Sequence, residues 1–278
     1  MKVKVVPIQM AKGKNKLTIY FLGDIHEGAA NMQQDAFRSA VKIIAADGDY
    51  WLGLGDYVDC INHLDKRFNC KEIASHYGIQ DLDDLPRVQA DNFLKDTKPI
   101  WSKCLGLIMG NHEDKYMQTN TFDVNAYLCK GMGCDNLRHK AWICLSFIRE
   151  KENPSIQRFS IVACHGTGGG GMREGFPLNK TYDVFKYDVA DIHVMGHLHK
   201  MVDDRANRNV PVRDNIRKDP VIYAVNGCFL SKSEVDTDGY FEQRPGKESD
   251  IGMLKLTIET DAKNKSDAKI HIEKIYLG

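Results

Sequence analysis

Five short apolar segments of this chain each end in residues that can bind a metal ion. The residues at these ends are Asp24 and His26, Asp56, Asn111 and His112, His165, and His197 and His199. Apolar runs of this kind, with glycine near their ends, predict buried strands. In an α/β protein the carboxyl ends of parallel strands meet at one edge of the sheet, so residues distant in sequence can converge there. A buried core would explain one polar strand end but not five, and the sequence therefore predicts a metal site at that edge.

The last segment carries two histidines that are separated by one residue. His197 and His199 directly follow the apolar run from Ile192 to Met195 and a glycine. In an extended chain, side chains at positions i and i+2 lie on the same face. The two imidazoles are therefore expected to face the same site.

The composition is that of an ordinary globular protein. Of the 278 residues, 42% are apolar and 27% are charged, and the formal net charge is zero. A chain without net charge has no strong overall field for nucleic acid or an anionic membrane, which argues against binding to long duplex DNA. No apolar run approaches the ~18 residues of a membrane helix, and the segment from Met1 to Lys16 lacks the apolar core of a signal peptide.

The eight cysteines are scattered along the chain without short paired spacings. Several of them, including Cys104 and Cys164, lie inside apolar runs. This pattern favours reduced thiols over a disulfide framework and predicts a cytoplasmic protein.

The segments between the strands predict helices that cross from one strand to the next. Apolar residues recur at helical spacing from Met32 to Ala46 and again after Pro86. Near the end of the chain, the segments from Met253 to Ile258 and from Ile270 to Tyr276 alternate apolar and polar residues, as half-exposed antiparallel strands do.

No repeat or linker divides the chain, so a single domain over residues 1–278 is expected. Two segments depart from the alternating pattern. Residues 60–85 mix cysteine, histidine and charged residues and are predicted to be an insertion over the site. Residues 231–250 are polar, contain glycine and proline, and are predicted to form a polar arm.

The metal-competent side chains exceed what one tetrahedral ion needs. They combine imidazole nitrogens, carboxylate oxygens and one amide oxygen, which are donors of different hardness. Two ions that share a bridging carboxylate account for the whole set. Ions about 3.5–4 Å apart can hold both oxygens of an in-line displacement at phosphorus and lower the pKa of a bridging water toward neutrality.

The segments GDIHEG, GDYVD, GNHED, HG at residues 165–166, and GHLHK resemble, in this order, the five motifs of the calcineurin-like metallophosphoesterase family. The resemblance extends from Gly23 to Lys200. It implies an α/β fold built as a four-layer αββα sandwich of two mixed sheets. It also implies a dinuclear centre with two divalent ions, manganese as the first expectation and iron or zinc as alternatives.

The resemblance also implies a role for each motif residue. The first ion would be bound by Asp24, His26, Asp56 and His199, and the second by Asp56, Asn111, His165 and His197. Asp56 would bridge the two ions. His112 would stabilise the leaving oxygen or give it a proton, and Asp59 would orient His112. Asn226-Gly227 resembles a turn of the family to which no chemistry is assigned.

These roles predict an enzyme that hydrolyses phosphate esters with hydroxide activated by two metal ions. In the serine/threonine protein phosphatases of the family, an arginine that grips the phosphate follows the GDxxD motif, and here that position is Cys60. The departure favours a phosphodiesterase acting on nucleotides or on nucleic-acid ends, including single strands. A phosphomonoesterase and a protein phosphatase are the alternatives. A scaffold that has lost its metals would lack ligands, and this sequence has all of them.

Other residues stay open at this point. Gly168 to Gly171 could cradle a phosphate with backbone N–H groups or form a surface loop. Arg173 and Lys180 are candidates for a substrate phosphate because they follow this loop. A separate zinc site is weakly suggested by the irregularly spaced residues Cys60, His63, Cys70 and His76. The histidines expected to be ordinary surface or core residues are His139, His193 and His271.

Overall fold

A computed structural model describes residues 1–10, 16–63, 65, 68–149, 156–169, 173, 175–231, 248–260 and 268–278. The strands are β1 (Lys2–Met10), β2 (Lys16–Leu22), β3 (Tyr50–Gly53), β4 (Cys104–Ile108), β5 (Asn136–Arg138), β6 (Lys140–Arg149), β7 (Ile156–Cys164), β8 (Ile192–Met195), β9 (Val202–Val212), β10 (Asn215–Val225), β11 (Gly252–Glu259) and β12 (Lys269–Tyr276). The α-helices are α1 (Gln34–Asp47), α2 (Leu85–Thr97), α3 (Asn111–Thr119), α4 (Val124–Met132) and α5 (Phe176–Phe185). None of these helices has both the length and the apolar character that crossing a membrane requires.

The first sheet contains the first three predicted strands side by side. Its strand order is β12-β11-β2-β3-β4-β5, and β2, β3, β4 and β5 run parallel. The carboxyl ends of β2, β3 and β4 therefore lie at one edge. The predicted C-terminal strands β11 and β12 extend this sheet on the other side in antiparallel pairs.

The second sheet has the order β1-β6-β7-β8-β10-β9. Its central strands β7, β8 and β10 run parallel, so the carboxyl ends of β7 and β8 also lie together. The pairs β6–β7 and β9–β10 are antiparallel. Both sheets are thus mixed.

The two sheets pack face to face and helices cover their outer faces. The central core contains Ile19 of β2 and Ile161 of β7, which are fully buried in one cluster. Phe37 of α1 and Leu128 of α4 pack in a second cluster over the outer face of the first sheet. Phe185 of α5 packs over the second sheet. This order of layers confirms the predicted four-layer αββα sandwich of two mixed sheets.

Several elements were not predicted from the sequence. The edge strand β1 is largely exposed, with Val3 at 69% and Val5 at 63%, and it forms by parallel pairing with β6. The polar strand β9 forms a long hairpin with β10. Such strands depend on a partner strand more than on their own residues, because β-propensity is strongly context-dependent.

The predicted polar arm lies mostly outside the described residues. Of residues 231–250, only Ser231 and residues 248–250 are described. The residues between β6 and β7 are not described either, and these two strands form an antiparallel pair.

The predicted insertion at residues 60–85, of which 64, 66 and 67 are not described, contains two short 3₁₀ helices at Cys70–Glu72 and Ile79–Asp84. It is attached to the loop after β2. The N–H of Ala74 donates to the carbonyl of Gly28 at 2.9 Å, and the Tyr77 hydroxyl donates to Glu27 at 2.9 Å.

The aromatic cluster around α1 gives a test of this packing. Phe37 is fully buried between Phe93 and Phe229, with ring centroids 6.0 Å and 5.6 Å away. We expect Phe37→Ala to lower the free energy of unfolding by about 3–5 kcal/mol, because it leaves a cavity. Ile79→Ala, at an 86% exposed position, should change it by less than about 0.5 kcal/mol. Urea unfolding measures both values, and equal losses would contradict the packing.

Candidate metal centre

The loops that follow β2, β3, β4, β7 and β8 meet at one end of the sandwich. The N–H of Asp24 donates to the carbonyl of Gly55 at 2.9 Å, which joins the loops after β2 and β3. The N–H of Gly196 donates to the carbonyl of His165 at 3.0 Å. The N–H of His197 donates to both carboxylate oxygens of Asp24, at 2.9 and 3.1 Å, and so connects the two sheets.

Five residues of this rim have a left-handed backbone. The φ angles are 52° at Asp24, 53° at His26, 52° at Asp56, 71° at His197 and 53° at His199. A non-glycine residue in this region is strained by about 1–3 kcal/mol. Such strain persists only where the surrounding structure holds it, and it concentrates at functional sites.

Asp56 lies between the other candidate ligands. Its Oδ1 atom accepts the N–H of His112 at 2.9 Å, at the N-terminus of α3. Its Oδ2 atom lies 3.2 Å from His165 Nε2 and 3.8 Å from His26 Nε2. One carboxylate oxygen therefore faces imidazole nitrogens on two sides.

A second group of donor atoms surrounds His165. Its Nε2 atom lies 2.8 Å from Asn111 Oδ1 and 3.1 Å from His197 Nδ1. The other ring nitrogen of His165 lies 2.8 Å from the carbonyl of Leu54, and that of His197 lies 2.7 Å from the carbonyl of Gly168. A carbonyl can only accept, so these nitrogens carry hydrogen. The opposite nitrogens face the group and would each supply a lone pair to an ion after losing any proton they hold.

A first group contains Asp24, His26 and His199. His199 Nε2 lies 3.4 Å from Asp24 Oδ1, and the rings of His26 and His199 are 5.4 Å apart. Both ring nitrogens of His26 are buried, and within the described residues neither has a hydrogen-bond partner. A buried imidazole without a partner is costly, and binding an ion would supply one.

The spacing of the donor atoms fits divalent ions. The groups whose donor atoms lie within 4.8 Å of one another are Asp24, His26 and His199; His26, Asp56 and His112; and Asp56, His165 and His197. Metal–ligand bonds of ~2.1 Å place neighbouring donor atoms ~3.0–3.4 Å apart. The separations of 3.1 and 3.2 Å from His165 Nε2 to His197 and Asp56 match this range. Mixed imidazole and carboxylate donors suit manganese, iron or zinc.

The electrostatics of the site keep the central carboxylates ionised. Burial alone would raise the pKa of Asp56, but the neighbouring His165 and His112 hold it well below its usual range. Burial also opposes the ionisation of Asp24, yet the hydrogen bond from His199 lowers its pKa. Burial works against a charge on His165, but Asp56 raises the pKa of that imidazole to about 9. The carboxylates therefore attract positive charge to the site.

The structure brings His112 and Asp59 into contact, chiefly through the backbone. His112 Nδ1 lies 2.5 Å from the carbonyl oxygen of Asp59 and 3.5 Å from its carboxylate. The same carboxylate lies 3.6 Å from His26 Nδ1. The ring orientation of His112 thus depends first on the main chain of Asp59.

Glu113 is a further residue of the site, and sequence reasoning gave it no role. It is 1% exposed, and its carboxylate collects four backbone N–H groups. The donors are Asp56 at 3.1 Å, Tyr57 at 2.6 Å, Val58 at 3.3 Å and Gly110 at 3.0 Å. It thereby fixes the loops that carry Asp56 and Asn111. Its place at the third position of α3, as in a capping box, was the sequence signal that pointed to it.

The residues considered as possible contacts of a substrate phosphate differ in their surroundings. Lys180 packs over Gly168, where a Cβ atom would lie 3.1 Å from Lys180 Cε, and it is therefore near His197. Gly168 has a positive φ of 98°, while residues 170 and 171 of the predicted glycine loop are not described. Arg173 is exposed. Cys60, which occupies the position of the phosphatase arginine, is buried.

None of the remaining candidates belongs to the groups of donor atoms described above. Within the described part of the chain, the four residues Cys60, His63, Cys70 and His76 do not form a group with donor atoms within 4.8 Å.

The three histidines without an expected role lie outside these groups as well. His139 is 64% exposed, and His193 stacks on Tyr223 in the core. His271 is exposed on β12. Asn226 accepts the N–H of Leu254 at 2.9 Å and anchors β11.

A large part of the chain matches a known protein family. Residues 17–201 match the family model of the calcineurin-like phosphoesterases, which confirms the resemblance of the five motifs. A search of curated protein sequences gave no match.

Solved structures similar to the chain include a predicted phosphoesterase of Streptococcus pneumoniae, with 11% identity and a TM-score of 0.32 over 93% of this chain and 98% of that one. They also include a Vps29 mutant of Entamoeba histolytica, with 12% identity and a TM-score of 0.32 over 93% and 99%. GAP50 of Plasmodium, described as an anchor in the inner membrane complex, shares 11% identity with a TM-score of 0.42 over 95% and 90%.

The contacts of Glu113 generate a prediction. In Glu113→Gln, one oxygen becomes an NH₂ group, so two of the four buried N–H groups lose their acceptor at about 1–3 kcal/mol each. We expect a lower free energy of unfolding and a ~10–100-fold weaker affinity for Mn²⁺. Chelator competition measures the affinity, and amide NMR shifts report the loop around Asp56. Glu273→Gln, on exposed β12, is the matched control. Unchanged affinity in Glu113→Gln would show that Glu113 does not position the ligands.

Proposed function

Because this chain belongs to the calcineurin-like phosphoesterase family, we propose that it hydrolyses phosphate esters with two divalent ions, manganese first and iron or zinc as alternatives. The observation that carries the proposal is the position of Asp56 Oδ2, which faces His165 on one side and His26 on the other. The proposed ligands of the first ion are Asp24, His26, Asp56 and His199. Those of the second are Asp56, Asn111, His165 and His197.

The chemistry divides between the ions and the side chains. Bound ions would neutralise charge on the phosphate and lower the pKa of the water that attacks phosphorus. The backbone contacts of Asp24, His165 and His197 keep the ligands in place without metal, so little reorganisation is needed at the moment of reaction.

His112 is proposed to give a proton to the leaving oxygen. Its Nδ1 atom faces the Asp59 carbonyl and therefore keeps its hydrogen, so Nε2 is the atom that can hold or release a second proton. The carboxylate of Asp59, 3.5 Å from Nδ1, would stabilise the protonated ring. Protonation matters most when the leaving group is a poor one.

The proposed substrates are phosphodiesters, such as nucleotides or nucleic-acid ends. A monoester dianion carries one more negative charge than a diester, and Cys60 is a buried, uncharged residue at the position from which an arginine could neutralise it. A cavity of about 210 Å³ beside Asn111 and His165, lined also by Asp114 and His139, offers room for a second ester group. Lys180, near His197, is a candidate for the remaining charge.

The proposal is tested with a substrate panel. The Mn-loaded protein should hydrolyse bis-nitrophenyl phosphate faster than nitrophenyl phosphate, with cyclic nucleotides and single-stranded DNA as further substrates.

Asp56→Asn should weaken the binding of both ions and abolish turnover, because one carboxylate serves both groups of ligands. Asp214→Asn, in the exposed β9–β10 turn, should retain both properties.

Turnover and metal content are measured on the same samples. A wild-type protein that binds two ions but hydrolyses none of these esters would contradict the enzymatic proposal. Preference for the monoester would replace the phosphodiesterase with a phosphomonoesterase.

His112 generates a separate prediction. His112→Ala should keep both ions and lower kcat by about 10²–10⁴ on esters with poor leaving groups. The loss should shrink for nitrophenyl esters, which leave without a proton. His271→Ala serves as the control. An equal loss on good and poor leaving groups would refute the role as proton donor.

A further inference from the structure

Three cysteine thiols meet between α4 and β4. Cys129 belongs to the buried cluster over the outer face of the first sheet, and Cys104 and Cys134 pack against this cluster. Cys104 is the first residue of β4, whereas Asn111 follows the other end of that strand. The three thiols are therefore separated from the metal centre by the length of β4.

The backbone fixes Cys129 and Cys134 side by side. Helix α4 ends with Gly133 in the left-handed conformation, at φ 68°. The N–H of Cys134 donates to the carbonyl of Cys129 at 3.0 Å, and that of Gly133 donates to the carbonyl of Lys130 at 3.4 Å. These two bonds define a Schellman motif, in which the side chains at the Cys129 and Cys134 positions contact each other.

The three thiols differ in access and in charge. Cys129 is buried at 5% exposure, while Cys104 and Cys134 are partly exposed. Hydrogen bonds from Cys104 and then Cys129 lower the pKa of Cys134 to about 4, and Lys4 contributes in the same direction. Burial raises the pKa of Cys104, and the hydrogen bond to Cys134 raises that of Cys129. Of the two partly exposed thiols, Cys134 is thus the one that ionises more readily.

The arrangement favours pairwise sulfur chemistry over an ion. Among the described residues, every group with three donor atoms within 4.8 Å belongs to the rim of the sandwich, and the three thiols are not such a group. Cys134 instead lies beside Cys129 in the motif that ends α4, and Cys104 packs against the same cluster. All eight cysteines lie in the described residues and none forms a disulfide, so Cys104 and Cys129 both keep their thiols.

We propose that Cys134 is an oxidation site, which a hydroperoxide converts to a disulfide with Cys104 or Cys129. The Cys134 thiolate attacks the peroxide, so that an S–O bond forms, the O–O bond breaks and the sulfur is oxidised to a sulfenic acid. A neighbouring thiol then attacks this sulfur, the S–O bond breaks, and the thiol proton leaves with the hydroxide as water. In total, two thiols lose two protons and two electrons, and one hydrogen peroxide becomes two waters.

The test is peptide mapping of the full chain after treatment with one equivalent of hydrogen peroxide. We expect a disulfide that joins Cys134 to Cys104 or Cys129, formed about tenfold or more faster than the exposed Cys70 is oxidised, because only the thiolate reacts. Cys70→Ser is the matched control and should not change this rate. Bridges between other cysteines, or oxidation of Cys134 no faster than Cys70, would overturn the proposal.

Variants of the neighbours identify the second step. Cys104→Ser or Cys129→Ser alone should leave the other disulfide possible. The double variant should stop at the sulfenic acid, which dimedone traps on Cys134. If the double variant does not fold, dimedone competition on the wild-type protein gives the same readout. Zinc retained by the untreated protein at these three cysteines would overturn the proposal.

Discussion

The buried carboxylates of Glu113 and Asp56 accept different backbone N–H groups at the centre of the rim. Glu113 accepts four of them. Within the described part of the chain, Asp56 accepts the N–H of His112 alone, through Oδ1, which leaves its Oδ2 atom facing the imidazoles. Burial and the charge of Asp56 raise the pKa of Glu113 to about 7, so the two carboxylates repel each other in the protein alone. A divalent cation beside Asp56 would offset this repulsion. Metal affinity and the stability of this rim are therefore expected to be linked.

The close packing around the carboxylates of Asp56 and Asp24 explains why glycine precedes the polar residues of two motifs. A Cβ atom on Gly110 would clash with the backbone nitrogen and Oδ1 of Asp56, and one on Gly196 would lie 2.5 Å from an Asp24 oxygen. The glycines allow the loops to approach closely enough for the His112 and His197 N–H groups to reach these oxygens. The left-handed conformations at the rim follow from this close approach, and the two large cores on either side of the first sheet hold them in place.

The sequence predicted those parts of the molecule whose signal lies within a single segment. Short apolar runs such as β2 and β8 are buried on both faces, and polar residues mark where they end. The exposed strand β1 carries no such signal, because it exists only through its pairing with β6. The role of Glu113 also depends on contacts more than fifty residues away in the chain. The position of the Asp59 carbonyl beside His112 is equally a result of folding, since any residue has a carbonyl.

The insertion is connected to the proposed metal ligands by one buried side chain. Glu27 follows His26 directly and is 1% exposed. Burial raises its pKa, and the Tyr77 hydroxyl, which accepts a hydrogen bond from Asn92, is its partner at 2.9 Å. Loss of this bond would leave a buried carboxyl without its hydroxyl donor, which is costly and favours the docked position of the insertion. Because the docked segment pairs with the loop that carries His26, a change in the insertion would reach the first ligand group through the backbone.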